Sequence, residues 1–312
     1  MSHEMVVAVP KTQEFLDHLQ KNAPADVVNL RTSMQYGEES KYVTVHFDPK
    51  EYPNNIELLM LTDVQFGHVM CQEDRFIEFR DWVLKKPNRF VLFGGDMVDA
   101  AHAFSVGSSY ENKFEPQAQV FRFVELAMPL RHRILGFVGG NHERRTAKMF
   151  GDLGRLLATF LRVPYSSGKQ LIDIHYGDHK PFKISLWHGG TGSRTKGAKA
   201  QMLHRFMAQG DSNLYLVGHL HDVVLLFDWR ERRHKNRIIL EKFAGVMSSS
   251  FLEYWGTYAE VAGLAPSDTM MARIILEPNK HWEVTLRNFL PWVLGGLAAW
   301  SGTFGHLTAG AF

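Results

Sequence analysis

Cysteine is almost absent from this sequence, which has one, Cys71, among 312 residues. No intrachain disulfide can form, and such cysteine poverty fits a reducing compartment, so we expect a cytoplasmic protein. We interpret Cys71 as a small apolar side chain near the start of a helix. An excess of one charge is also lacking, because the formal net charge is only +2. The overall charge therefore neither requires nor excludes a nucleic-acid partner.

We expect no export signal at the N-terminal end of the sequence, and the C-terminal end has no charged side chain. Residues 1–10 have neither the basic lead nor the longer apolar region of a signal peptide, so we expect no secretory leader. Residues 288–312 contain no Lys, Arg, Asp or Glu. A spanning helix needs about 20 mostly apolar residues, but Pro291, five glycines and His306 weaken this tail as a helix. We favour a tail that packs on its own domain or on a second copy, as a homo-oligomer, over membrane insertion.

The order of apolar segments predicts an α/β domain with a strand-rich second half. Strands alternate with helices up to about residue 162, with predicted helices at 74–85, 116–130 and 151–162. Strands then dominate, interrupted by one helix at 199–209. This pattern favours two packed sheets covered by helices. We divide the chain into an N-terminal extension (1–55, with a helix at 11–22 and a strand at 42–47), a main domain (56–287) and the apolar Gly-rich tail (288–312).

Five short polar segments stand at the ends of predicted strands. They contain carboxylates, amides and imidazoles in one ordered series, and they lie at residues 63–65, 95–99, 140–143, 188–189 and 218–221. In open α/β sheets, ligands bind outside the carboxyl ends of the strands. Taken singly, each segment is adequately explained as a turn. Taken together, they are the ligand inventory of a site where two divalent ions, about 3.5–4 Å apart, clamp a phosphoryl group.

The series resembles the calcineurin-like metallophosphoesterase superfamily, whose pattern is D-x-H, G-D-x-x-D, G-N-H-D/E, H and G-H-x-H. The match runs from Asp63 to His221, about half of the chain. The resemblance implies a four-layer α/β/β/α sandwich of two mixed sheets flanked by helices. It also implies that Asp96 bridges two ions, with Asp63, Gln65 and His221 on one and Asn141, His188 and His219 on the other.

The resemblance assigns catalytic work to two residues that bind no metal. His142 would face the substrate and stabilise or protonate the leaving oxygen, and Asp99 would orient His142 by a hydrogen bond. The sequence departs from the pattern at Gln65, where the family usually has His. A neutral amide oxygen binds Zn²⁺ more weakly than imidazole does, so we expect Mn²⁺ first, with Fe²⁺, Mg²⁺, Zn²⁺ or Ni²⁺ as alternatives. A degenerate site is the harsher interpretation, but every other ligand position is filled.

The substrate is less well determined by the sequence. The Gly-rich stretch at 188–199 carries Arg194, Lys196 and Lys199 and could hold a phosphate backbone, or be an ordinary solvated loop. This stretch resembles that of phosphoesterases encoded by phages and mobile elements. Arg144 could contact a phosphate oxygen or make a salt bridge. The Ser/Thr protein phosphatases of the superfamily have the second motif G-D-x-V-D-R-G. Here Ala100 and Ala101 follow Asp99, so the arginine is missing, which argues against this class of phosphatase.

Three hypotheses therefore remain open at the level of sequence. The leading one is a phosphodiesterase that acts with two divalent ions on nucleotides or, as a nuclease, on DNA or RNA. The second is a phosphomonoesterase for a small molecule or a phosphoprotein. The third is a metal-binding scaffold without catalysis, docked through the apolar tail.

Overall fold

The computed structural model describes residues 39–105, 108–149, 151–177, 180–190, 192–256, 260, 269–279 and 282–288. The helix predicted at 11–22 lies outside these residues, as does the tail beyond residue 288. Among the described residues, no helix is both long and apolar enough to cross a membrane.

The first sheet carries most of the α/β half. Its strands, in chain order, are β2 (Ile56–Leu61), β3 (Arg89–Phe93), β4 (Ile134–Val138), β5 (Tyr165–Ser166), β11 (Met270–Leu276) and β12 (Trp282–Asn288), and their spatial order is β12-β11-β2-β3-β4-β5. Strands β2 to β5 run parallel, whereas β11 and β12 pair antiparallel.

The second sheet is also mixed. It consists of β1 (Tyr42–Phe47), β6 (Gln170–Tyr176), β7 (Phe182–Trp187), β8 (Leu214–Val217), β9 (Val224–His234) and β10 (Arg237–Met247), in the order β1-β6-β7-β8-β10-β9. The predicted strand at 42–47 is therefore an edge strand of this sheet, paired parallel to β6. Strands β7, β8 and β10 run parallel to one another.

Alternation along the strands builds three apolar layers. In β2, Leu58 and Met60 face the second sheet, whereas Leu59 and Leu61 face the helices, because successive side chains point to opposite faces. Helices α1 (Glu73–Leu84), α2 (Pro116–Ala127) and α3 (Leu153–Leu161) cover the first sheet. Helix α4 (Lys196–Met207) covers the second. This confirms the predicted arrangement of two mixed sheets flanked by helices.

The hairpin of β9 and β10 is longer than the sequence pattern indicates. The apolar pattern predicts strands at 223–229 and 238–243, with the basic residues between them as a hairpin tip, either a plain turn or one that faces nucleic acid. Instead β9 continues to His234. Arg230 and Arg232 each donate to the Glu241 carboxylate on β10, at 2.7 and 2.9 Å, so cross-strand charge pairs extend the hairpin. The chain reverses at Lys235, which has a φ of 52°.

Candidate metal centre

The polar segments meet at one edge of the sandwich. Strands β2, β3 and β4 end beside one another, because Leu61 pairs with Phe93 and Phe93 with Phe137. Strands β7 and β8 end at Trp187 and Val217, which also pair. His188 joins the two sheets, since its Nδ1 lies 2.7 Å from the carbonyl oxygen of Gly94.

The loops of the first two segments run side by side with strained backbones. The amide of Asp63 donates to Gly95 O, and that of Gln65 to Asp96 O, both at 2.9 Å. Asp63, Gln65, Asp96, His219 and His221 all have φ between 47° and 70°. Left-handed conformations of non-glycine residues cost roughly 1–3 kcal/mol each and cluster at functional sites. The fold thus holds five of the predicted ligands in unfavourable conformations.

One group of ligand atoms forms around His221. Its Nε2 lies 3.2 Å from Asp63 Oδ1 and 3.0 Å from the Gln65 side-chain nitrogen. Rotation of the Gln65 amide by half a turn would bring its oxygen to the same point. Asp63 Oδ2 accepts hydrogen bonds from Thr62 Oγ1 at 2.6 Å and from the His219 amide at 2.9 Å. Asp63 Oδ1 is buried and accepts no hydrogen bond within the described part of the chain, as suits an atom that binds a cation.

A second group forms around His188. Its Nε2 lies 3.1 Å from Asp96 Oδ2 and 3.1 Å from Asn141 Oδ1. Because Nδ1 faces the Gly94 carbonyl, Nε2 is the atom left to bind a metal. Ligand atoms of Asp96, His188 and His219 all lie within 4.8 Å of one another. The donor set of both groups fits divalent metal ions.

The electrostatics of the centre favour added positive charge. Burial opposes ionisation of Asp96, but His142 and His188 hold the pKa of its carboxyl below its usual range. Burial lowers the pKa of His188, yet Asp96, Asp63 and Glu143 outweigh this effect and raise it to about 10. A buried imidazole that holds a proton so firmly stands in a strongly negative potential, which a metal ion would satisfy.

Glu143 joins two of the ligand loops. Its buried carboxylate accepts hydrogen bonds from the amides of Asp96 at 3.0 Å and Gly140 at 2.9 Å, and also from that of Met97. Burial, followed by the nearby Asp96 carboxylate, raises the pKa of Glu143 to about 7. The acidic residue that ends the G-N-H-E segment therefore fixes the backbone of the G-D segment.

The two predicted catalytic residues lie together beside Asp96. His142 Nδ1 lies 2.9 Å from Asp99 Oδ1, and the His142 amide donates to Asp96 Oδ1 at 2.8 Å. Arg145 completes this cluster, with Nη2 2.9 Å from His142 Nε2 and Nη1 3.2 Å from Asp99 Oδ1. Burial lowers the pKa of His142, but Asp96 and Asp99 raise it further than burial lowers it.

Comparison with known families agrees with this geometry. The family described as calcineurin-like phosphoesterase matches residues 56–223. The chain belongs to this family. It is therefore an enzyme that hydrolyses phosphoesters, and the family's dependence on metal ions accords with the Asp96, His188 and His219 cluster. No curated protein matches the chain significantly.

Two solved structures are similar to parts of this phosphoesterase. A predicted phosphoesterase from Streptococcus pneumoniae is 14% identical with a TM-score of 0.34, over 75% of this chain and 98% of its own. The NAD nucleotidase of Haemophilus influenzae is 13% identical with a TM-score of 0.38, over 74% of this chain. The match covers only 49% of the nucleotidase chain. Neither likeness bears on the activity of this phosphoesterase.

The predicted substrate-binding residues occupy different surroundings. Arg144 is exposed, and its Nε donates to Gly140 O at 3.1 Å. Lys196 Nζ donates at 2.6 Å to Oδ1 of Asp222, the residue that follows His221. Arg194 is exposed on the loop that precedes α4. Their contact with substrate stays a prediction.

Two residues of the phosphoesterase site were missed at the level of sequence, and a third was placed wrongly. Arg145 contacts both catalytic candidates, and Glu143 joins two ligand loops. Lys199 was expected on a basic loop, but it is buried in α4 beneath the last ligand segment, where its ammonium group bonds the chain itself. Glu143 could have been identified, since its place directly after Asn141 and His142 puts it among the ligand loops. Arg145 offered no sequence signal that separates it from Arg144.

Proposed function

We propose that this phosphoesterase hydrolyses phosphodiesters in nucleic acid or nucleotides with two divalent metal ions. The observation that carries this proposal is the closeness of the two groups of ligand atoms, around His221 and around His188. Asp63 belongs to one group, yet its carboxylate accepts the amide of His219, which belongs to the other. Asp96 would bridge the ions, and its low pKa supports that role because a bridging carboxylate must be ionised.

The proposed division of ligands follows the two groups. Asp63, Gln65 and His221 would hold one ion, and Asn141, His188 and His219 the other. Ions bound there would polarise the phosphoryl group and activate water near neutral pH. The amide oxygen of Gln65 supports Mn²⁺ over Zn²⁺ as the natural ion, since harder oxygen ligands suit it better.

Proton transfer would fall to His142 and Asp99. Hydrolysis forms a P–O bond from water and breaks the P–O bond to the leaving oxygen, which takes a proton from His142. Asp99, 2.9 Å from Nδ1, would keep the opposite nitrogen, Nε2, turned toward the substrate. The attacking water would release a proton to solvent, and the imidazole would regain one from solvent.

The choice of a diester in nucleic acid rests on the basic residues near the centre. Arg144, Arg194 and Lys196 are all exposed. Arg144 lies on a short 3₁₀ helix after Asn141, Arg194 on the loop before α4, and Lys196 at the start of α4. Lys and Arg at such positions can track a phosphate backbone, and binding of that kind weakens as salt rises. A cytoplasmic location and a homo-oligomer formed through the tail remain part of the proposal.

Hydrolysis of bis-p-nitrophenyl phosphate and of p-nitrophenyl phosphate with added Mn²⁺ tests the reaction. We expect faster turnover of the diester, and a preference for the monoester would favour a phosphomonoesterase instead. Asp96→Asn should lose bound metal, measured by elemental analysis, together with activity. His142→Ala should keep its metal and lose roughly 10²–10⁴-fold in rate.

A binding experiment tests the nucleic-acid part separately. We expect salt-sensitive binding of single- or double-stranded DNA or RNA to the metal-loaded protein. Replacing Arg194 and Lys196 together by Met should weaken it and flatten the salt dependence. Equal binding by the double variant would argue against this surface, while the diesterase activity would stand on its own assay.

A further inference from the structure

We propose that Arg145 binds the leaving oxygen of the substrate together with His142. The inference rests on the proposed function, because it takes His142 as the proton donor to that oxygen. It adds a substrate-binding residue that the sequence motifs do not contain.

The guanidinium of Arg145 is anchored at one end. Its Nη1 donates to the carbonyl oxygen of Asp99 at 2.8 Å and lies 3.2 Å from Oδ1 of the same residue. The carbonyl oxygen of Arg145 lies 3.1 Å from Nε2 of His102, which fixes the backbone as well. The Arg145 side chain is only 15% exposed. These contacts hold the other end of the guanidinium, Nη2, in a defined place.

Nη2 of Arg145 lies beside Nε2 of His142, the nitrogen that would donate a proton to the substrate. Nη2 lies 2.9 Å from His142 Nε2, while His142 Nδ1 faces Asp99. A guanidinium nitrogen has no lone pair, so this contact requires Nε2 to be the acceptor. His142 cannot donate a proton from Nε2 to a substrate while Nε2 accepts one from Arg145. The contact must therefore open when the substrate binds.

An oxygen that enters between the two groups would receive both donors. A hydrogen-bond acceptor about 2.6–3.2 Å from Nε2 of His142 would lie beside Nη2 of Arg145 as well, because the two nitrogens are now in contact. The anchored guanidinium would then donate to that same oxygen after a small movement. Negative charge develops on the leaving oxygen as its bond to phosphorus breaks, so a fixed positive donor there stabilises the transition state more than the ground state.

Arg144 and Arg145 differ in this respect although they are neighbours in sequence. Both lie on a short 3₁₀ helix, Glu143–Thr146, where successive side chains point about 120° apart. Arg144 turns to Gly140 O and is exposed, whereas Arg145 turns to the catalytic pair. The direction of each side chain on this short helix therefore places Arg145, and not Arg144, beside the proposed position of the leaving oxygen.

The test compares two diesters that share a phosphoryl group and differ in the leaving group. Methyl p-nitrophenyl phosphate has a good leaving group, and methyl phenyl phosphate has a poor one that needs more stabilisation. We expect Arg145→Met to lower kcat for the phenyl ester by roughly 10–100-fold and for the nitrophenyl ester much less. Bound Mn²⁺ should match the wild type, whereas the melting temperature should fall because Asp99 loses a charge partner, so kcat is compared well below that temperature. Arg122→Met, on the exposed side of α2 where Arg122 pairs with Glu125, is the charge-matched control.

The outcomes separate the inference from the proposed function. Unchanged kcat in Arg145→Met, or an equal loss for both esters, would overturn the role at the leaving oxygen while wild-type turnover keeps the proposed function intact. Absence of turnover by the metal-loaded wild type would overturn both. Arg145→Lys decides the matter should the Met variant not fold. Lys cannot span Asp99 and the reacting oxygen as the planar fork does, so we expect an intermediate loss that is again larger for the phenyl ester. Equal losses in that variant would overturn the inference too.

Discussion

The ammonium group of Lys199 lies 3.0 Å from Oδ2 of Asp222, and both residues are buried. The same ammonium donates to the carbonyl oxygen of Leu220 at 3.1 Å. Leu220 stands between His219 and His221, both of which have left-handed backbones. Helix α4 therefore holds the turn that presents two of the proposed metal ligands. Lys199 does so from the buried side, and Lys196 donates to Oδ1 of the same Asp222.

Replacing Lys199 by Met should weaken metal binding. The Met side chain keeps much of the apolar stem but removes the lysine that donates to the Leu220 carbonyl and one of the two lysines on Asp222, so the turn should loosen. We expect Mn²⁺ affinity, measured by isothermal titration calorimetry, to fall about 10–100-fold, as is typical when groups that support ligands are removed. Lys183→Met removes an exposed Lys–Asp pair and serves as the control. Wild-type affinity in Lys199→Met would contradict the supporting role.

Replacing Gln65 by His should change which metal the site prefers. Gln65 lies against His221 and has a φ of 48°, a conformation that histidine adopts more readily than most residues. An imidazole there would add a nitrogen ligand that suits Zn²⁺. We expect the ratio of Zn²⁺ to Mn²⁺ affinity, measured by competition titration, to rise above that of the wild type. An unchanged ratio would mean that residue 65 does not bind the metal.

Replacing Gly140 by Ala should disrupt the centre by steric conflict alone. A Cβ at this position would stand 1.9 Å from Oδ1 of Asp96 and 2.4 Å from its backbone nitrogen. Asp96 or the loop must move, so we expect about 1–3 kcal/mol lower stability, as is usual for overpacking, and loss of bound metal. Gly168→Ala is the matched control, since its Cβ would meet nothing within 4 Å of the described residues. The free energy of unfolding, measured with denaturant, and the bound metal should be lower in Gly140→Ala than in Gly168→Ala. Similar values in the two variants would contradict the close approach of Gly140 to Asp96.

The positions of the proposed ligand residues could be predicted because they follow from local chemistry. Asp63, Asp96 and Asn141 each follow a buried parallel strand, and such strands end at one edge. The structure brings these side chains together with His188, His219 and His221, as the motif order indicates. The apolar runs, with the polar residues that end them, therefore indicate which element carries each proposed ligand.

The supporting residues could not be predicted because their contacts are set by tertiary structure. Lys199 and Asp222 are far apart in sequence, and nothing local links a helical lysine to a turn after β8. Arg145 differs from Arg144 only by its direction on a 3₁₀ helix, which periodicity does not reveal. The long β9–β10 hairpin was missed for a similar reason, since its charged residues look like a turn until Glu241 is seen between Arg230 and Arg232.

The thiol of Cys71 should be almost inert in the folded protein. Cys71 is buried two residues before α1 and pairs by a β-bridge with Leu252, as expected for a small apolar side chain at a helix start. Burial raises the pKa of this thiol to about 12. The thiolate, which is the reactive form, is then roughly 10⁻⁴ of the population at pH 8, against about a quarter for an ordinary cysteine of pKa 8.5.

A thiol-reactive dye measures this directly. We expect Ellman's reagent to react with the native protein roughly 10³-fold more slowly than with the guanidinium-unfolded protein at pH 8, in proportion to the thiolate fractions. Because the folded pKa is raised, the native rate should keep rising about tenfold per pH unit between pH 8 and 10, well past the ordinary thiol value. A plateau near pH 8.5 to 9 would show an unshifted, exposed thiol. Phosphoesterase activity should survive treatment with the reagent at pH 7, because Cys71 touches none of the proposed metal ligands through its side chain in the described structure.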